Sequence, residues 1–137
     1  MSKAMILSPS EEFSALLEAM LEMEDYTMLS LDWLSMQGTA EAFSFEKPDV
    51  LIVDIGFPLP HLRMDSRGLS CLNDLLDKQA TEGVAIVTYS LVLDELADET
   101  ARLRELGIPV VGNPYDLEDF AILIDNTLNS KRLLSAA

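Results

Sequence analysis

The sequence predicts a doubly wound α/β domain: a five-stranded parallel sheet with helices on both faces, a three-layer sandwich. Three observations lead there. Hydrophobic patterns of period 2 and period 3.6 alternate along the whole chain. The central run Val50-Leu51-Ile52-Val53-Asp54 is apolar at four successive positions, as a strand covered on both faces must be. The chain has 137 residues, 49 % of them hydrophobic, which suits one core with no need of disulfides or a structural metal.

Residues 4–7 form a short apolar strand. Ser8-Pro9-Ser10-Glu11 is a helix start, with Ser8 as N-cap, Pro9 at the first helical position and Glu11 closing a capping box. Phe13, Leu16, Leu17, Met20 and Leu21 then fall on one helical stripe. Residues 26–31 read as a second strand. Residues 35–43 read as a shorter helix with Met36, Ala40 and Phe43 inward, and Lys47-Pro48-Asp49 breaks the chain before the central strand. From Gly56 to Asp65 a loop carries two prolines and His61. A helix follows with Leu69, Leu72, Leu75 and Leu76 on one face, then a fourth strand at 84–88. Leu93, Leu96, Thr100, Leu103 and Leu106 outline another helix, which Gly107 stops. The fifth strand is 108–111. Asp116 caps a last helix whose inner face is Leu117, Phe120, Ile124 and Leu128. One domain is expected over residues 1–130, with 131–137 as a tail.

Alternating strands and helices of this number favour the strand order 2-1-3-4-5, since crossovers are right-handed. The switch point then lies between the first and third strands. Ligands gather beyond the carboxyl ends of strands at such a point. Asp54 sits there. A carboxylate in that place can act as a nucleophile, a metal ligand or an acceptor of backbone N–H groups.

Composition removes several function classes. With 24 acidic and 9 basic residues the formal charge is −15, which opposes binding to phosphate backbones. The single cysteine, Cys71, has no partner in the chain and is read as a small core residue, so no oxidising compartment is implied. No apolar run approaches the roughly 20 residues that span a bilayer. The N-terminus lacks a signal-peptide pattern, and a cytoplasmic location is expected. There is no glycine-rich phosphate loop, no nucleophile elbow and no Cys-x-x-Cys. His61 is the only histidine and lacks partners for a metal role. Trp33 and Tyr89 are expected in the core or at its rim.

Lys47-Pro48-Asp49-Val50-Leu51-Ile52-Val53-Asp54, then Pro58, Gly68-Leu69, Val87-Thr88, Arg104-Glu105-Leu106-Gly107 and Asn113-Pro114-Tyr115 occur in an order and spacing that matter together. On these residues the chain resembles the receiver domain of two-component response regulators, over nearly its whole length. The resemblance implies a flavodoxin-like (βα)5 fold, with Asp54 as phosphoacceptor and Thr88 as the hydroxyl that shifts on activation. It also implies an acidic pair after the first strand that holds Mg²⁺, and a lysine before the proline after the fifth strand. Here those places read Ser8-Pro9-Ser10-Glu11 and Asn113, and the switch aromatic is replaced by Val110. The loop after Asp54 is longer than usual for the family.

Phosphoryl transfer depends on positioning and charge neutralisation, so these losses bear on chemistry. Removing one such electrostatic contact can cost ~3 kcal/mol. No cofactor is expected. If Mg²⁺ binds at all, its ligands would be Asp54, the Gly56 backbone and Glu11. The resemblance therefore points to an atypical, pseudo-receiver-like domain of a two-component phosphorelay, not an enzyme, that acts through a protein partner. A histidine kinase, a downstream effector or a second copy would meet the surface from about Leu93 to Leu128. The alternatives are a working phosphoacceptor at Asp54 with Mg²⁺ on unusual ligands, and a flavodoxin-like binder of a small ligand.

Overall fold

A computed structural model describes residues 2–31, 43, 46–61, 63–78, 80–90, 96–112 and 116–136. Its elements are β1 (Ser2–Leu7), α1 (Glu11–Met23), β2 (Tyr26–Leu31), β3 (Val50–Leu59), β4 (Arg63–Asp65), α2 (Arg67–Asp77), β5 (Ala85–Ser90), α3 (Ala97–Glu105), β6 (Val110–Gly112) and α4 (Leu117–Ala136). The main sheet runs β2-β1-β3-β5-β6, all neighbours parallel. This is the expected order, with one strand added beside β3. The expected helix at 35–43 lies outside the described residues except for Phe43. There the Lys47 N–H donates to the Phe43 carbonyl at 3.0 Å, a helical i to i+4 bond just ahead of β3.

Strand alternation divides the apolar residues into two cores, because successive side chains point to opposite faces. Ala4, Ile6, Val50, Ile52 and Val87 meet α1 and α4 through Leu17, Leu21, Phe120 and Ile124. Met5, Leu7, Leu51, Val53 and Ile86 pack instead on Leu69, Leu72, Leu75 and Leu103. Cys71 lies buried in this second core, as expected of a small apolar residue. Covering on both faces is why β3 tolerates no polar residue before Asp54. Two long-range polar contacts tie α4 to the other edge of the sheet. The Tyr26 hydroxyl donates to Asp125 at 2.5 Å, and Arg132 donates to the Ser2 hydroxyl at 2.7 Å.

The structure departs from expectation at four places. The proline-bearing loop after Asp54 is a hairpin: β3 continues to Leu59 and pairs antiparallel with β4, matching Phe57 to Asp65 and Pro58 to Met64. Proline is tolerated there because the two-stranded extension leaves an edge on which no ladder bond is lost. A sixth strand results. The N-cap of α1 is Ser10, whose Oγ accepts from the Phe13 N–H at 3.2 Å, so the box expected from Ser8 and Glu11 does not form. Two serines two residues apart both satisfied the sequence pattern, and burial of Ser8 decided between them. The fourth and fifth strands are shifted to Ala85–Ser90 and Val110–Gly112. Finally, α4 runs through residues 131–136, which were expected as a separate tail. Among the described residues, no helix is long and apolar enough to cross a membrane.

The cap assignment is testable. Ser10→Ala should lower stability by about 1 kcal/mol in urea unfolding, the usual loss for a serine N-cap.

Candidate functional site

The carboxyl ends of β1, β3 and β5 converge on Asp54, which is 1 % exposed. β3 bulges directly after it: Asp54 pairs with Tyr89, but Gly56, not Ile55, is the next residue in register, opposite Ser90. The bulge turns the Gly56 N–H back onto the Asp54 carboxylate, at 3.0 Å from Oδ1. Ser8, freed from capping, accepts from the Ser10 N–H at 3.1 Å, and its hydroxyl lies close enough to favour the ionised Asp54 carboxylate. A side chain at Gly56 would require its neighbours to shift. A Cβ there would lie 2.7 Å from Leu96 Cδ1 and 3.0 Å from Met64 Sδ.

A recess of about 210 Å³ opens beside Asp54, walled by Phe13, Leu16, Phe57 and Tyr89 with Ser10 and Glu12 at its margin. Burial among these groups raises the Asp54 pKa to about 7. The Gly56 and Ser8 hydrogen bonds work against that rise, and the negative charge of Asp65 adds to it. Asp65 itself is held ionised by Arg67, with Oδ2 2.6 Å from Nη2 and Oδ1 3.0 Å from Nε.

The structure brings together Asp54, Ser8, Gly56 and Ser90. Thr88 is not at the strand end. It lies two residues earlier, opposite Val53, and its hydroxyl donates to the Pro109 carbonyl at 2.9 Å on the β6 side. The hydroxyl at the carboxyl end of β5 belongs to Ser90, which is fully buried and donates to the Gly56 carbonyl at 2.9 Å. Glu11 stands exposed in the first turn of α1. Asn113, Trp33 and Leu93 lie outside the described residues. Ser8 and Asp65, which act on the Asp54 carboxylate, and Ser90, which bonds Gly56 beside it, are neighbours that the sequence reading missed. Period 2 places Ser90 on the same face as Thr88, so extending the strand by two residues would have found it. For Asp65 there is no local signal, because only the hairpin folds it back toward Asp54.

These donors do not suit Mg²⁺. That ion needs near-octahedral oxygen ligation and sheds water reluctantly. The Asp54 carboxylate accepts the Gly56 N–H on Oδ1 and is buried against apolar walls. The Gly56 carbonyl accepts from Ser90, and both oxygens of the Asp65 carboxylate are engaged by Arg67. Among the described residues, no group of three or more His, Cys, Asp or Glu is placed to hold a metal.

No model of a known protein family matches the chain, and no curated protein matches its sequence. Solved structures do. The signal receiver domain of a putative Luxo repressor protein from Vibrio parahaemolyticus is similar at TM-score 0.73 and 14 % identity, covering 98 % of this chain and 95 % of that one. A response regulator receiver domain protein from Clostridium thermocellum gives 0.74 and 21 %, covering 98 % and 99 %. NtrX from Brucella abortus, in complex with ADP, gives 0.74 and 15 % over 98 % of this chain but 28 % of its own length. At these identities what is shared is the fold, and the chain has the fold of response regulator receiver domains.

Proposed function

We propose that this receiver-fold chain is a signalling module that works by protein contact, with its aspartate pocket turned from phosphoryl acceptance to a structural carboxyl. One observation carries the reading: Asp54 is buried against aromatic and aliphatic walls and accepts the Gly56 N–H, where a receiver needs an ionised nucleophile beside a metal. A carboxyl that is half protonated near pH 7 is a weak nucleophile and a weak ligand. The position of the family lysine holds Asn113, which supplies no positive charge for the phosphoryl oxygens. Thr88, which the resemblance gave as the switch hydroxyl, bonds the Pro109 carbonyl, while Ser90 ends β5 beside Gly56. The Ser90 bond to the Gly56 carbonyl fixes the bulge.

A working phosphoacceptor is the competing reading. The observation in its favour is Asp65, a second carboxylate whose charge Asp54 feels. It would have to leave Arg67 to act. The flavodoxin-like ligand reading is disfavoured by size, since small-molecule sites usually measure 300–1,000 Å³ against about 210 Å³ here.

Beryllofluoride with Mg²⁺ tests the proposal. Titrating both into the protein should leave the amide NMR signals around Asp54, Gly56 and Ser90 in place. A saturable, Mg²⁺-dependent shift there that Asp54→Asn abolishes would establish the phosphoacceptor instead.

A further inference from the structure

We infer that the groove between α1 and α4 docks an amphipathic helix with basic margins from a partner protein. The inference rests on the protein-contact reading above and names the partner's chemistry. Among the described residues, five large hydrophobic ones are conspicuously exposed: Leu16, Met23, Leu106, Ile122 and Leu133, at 53 to 86 %. Three of them, Leu16, Met23 and Ile122, line one groove of about 500 Å³, floored by Met20, Leu117 and Ala121. A contiguous apolar strip on a small domain marks a contact site more often than scattered single residues do. It also differs from the face expected between Leu93 and Leu128, because α1 supplies half of it.

Charge selects the occupant. The groove's polar margin is Glu24, Glu118 and Asp125, with no cation among its lining residues. The bias is wider than the groove. The sequence has no Lys or Arg from residue 4 to residue 46, nor from residue 105 to residue 130, stretches that hold all of α1 and α4 as far as Ser130; Lys131 and Arg132 lie beyond the groove. Glu11, Glu12, Glu18 and Glu22 add to the field on α1. A second copy of this chain would bring the same negative face against itself, and an anionic membrane would be repelled. A partner with Lys or Arg beside its apolar stripe gains on both counts, in contact and in steering. The groove's geometry suits a helix. Leu16 to Met23 spans two turns, about 10 Å at 1.5 Å per residue, so a partner stripe at i, i+3 or i+4, and i+7 would lie along it.

The probe is an 18-residue Leu/Lys peptide patterned as an amphipathic helix, titrated into the full chain carrying ¹³C-methyl methionine in Mg²⁺-free buffer. The expected result is saturable shifts of Met20 and Met23 while Met5, buried in the sheet, stays fixed. Met23→Gln and Ile122→Gln, both at exposed positions, should each weaken binding at least fivefold without lowering the melting temperature. Glu118→Gln should weaken it and flatten its salt dependence. A scrambled peptide of the same composition binding equally well, or a Leu/Glu peptide doing so, would overturn the inference. So would concentration-dependent dimerisation through Met20 and Met23 that the peptide fails to disrupt. The beryllofluoride experiment bears on the pocket alone, so the two readings fail separately.

Discussion

Asp54→Asn is expected to raise the melting temperature by roughly 5–10 °C at pH 8 and by much less at pH 5. The carboxyl's ordinary pKa of 3.8 is raised to about 7 in the folded chain, chiefly by burial. Between those values the folded state keeps a proton that the unfolded chain has released, so stability falls as pH rises through this window. Above pH 7 both states are ionised and the whole penalty is present. At about 1.4 kcal/mol per pKa unit the penalty is roughly 4 kcal/mol as an upper bound, since local relaxation and water entry reduce it. Asparagine keeps the shape, and its Oδ1 can still accept the Gly56 N–H. It cannot ionise, so the pH-dependent part disappears. Paired melting curves of the two proteins at pH 5 and pH 8 isolate this group from the repulsion among the other acidic residues, which both chains share. A lower melting temperature for the variant at pH 8 would mean that Asp54 is ionised and held by a cation, which is the phosphoacceptor reading.

Phe120→Ala should have a larger effect, a loss of about 3–5 kcal/mol, enough to leave a domain of this size close to its unfolding threshold. Phe120 is 2 % exposed and stands edge-on to two rings, 5.7 Å from Tyr89 and 6.1 Å from Phe13. Phe13 and Tyr89 are themselves 4.3 Å apart, so the trio links α4, β5 and α1. Edge-to-face pairs add about 0.5–1.5 kcal/mol beyond the area they bury. Phe13 and Tyr89 also wall the recess beside Asp54. Removing the ring behind them should let water reach the carboxyl and draw its pKa back down. The two predictions are therefore coupled. In the Phe120→Ala background, Asp54→Asn should recover less stability at pH 8 than it does in the parent chain. Urea unfolding of the four proteins at pH 8 checks this, and strict additivity would show that the aromatic trio does not control access to Asp54.

Periodicity and composition were sufficient for the layer order, the buried β3, the apolar stripe of α1 and the placement of Asp54 at the switch point. These follow from rules that act within a few residues: alternation in strands, the 3.6 repeat in helices, and the need of a doubly covered strand to be apolar throughout. The residues Ser8-Pro9-Ser10-Glu11 and Asn113 after the first and last strands were equally legible, because residue identity is visible in sequence. Local rules could not choose between Ser8 and Ser10 as the cap, or between Thr88 and Ser90 as the strand-end hydroxyl. Each pair satisfies the same pattern two residues apart, and the choice fell to packing around Asp54.

By itself, then, the sequence determined that a carboxylate would stand at the mouth of a parallel sheet, with Ser8-Pro9 and Asn113 after the first and last strands. Only the tertiary structure decided what surrounds that carboxylate. The β3 bulge aims the Gly56 N–H at it, the hairpin returns Asp65 toward it, and the rings of Phe13, Phe57 and Tyr89 wall the recess beside it. The reason is that desolvation and charge act through space, over distances that take no account of how far apart residues lie along the chain.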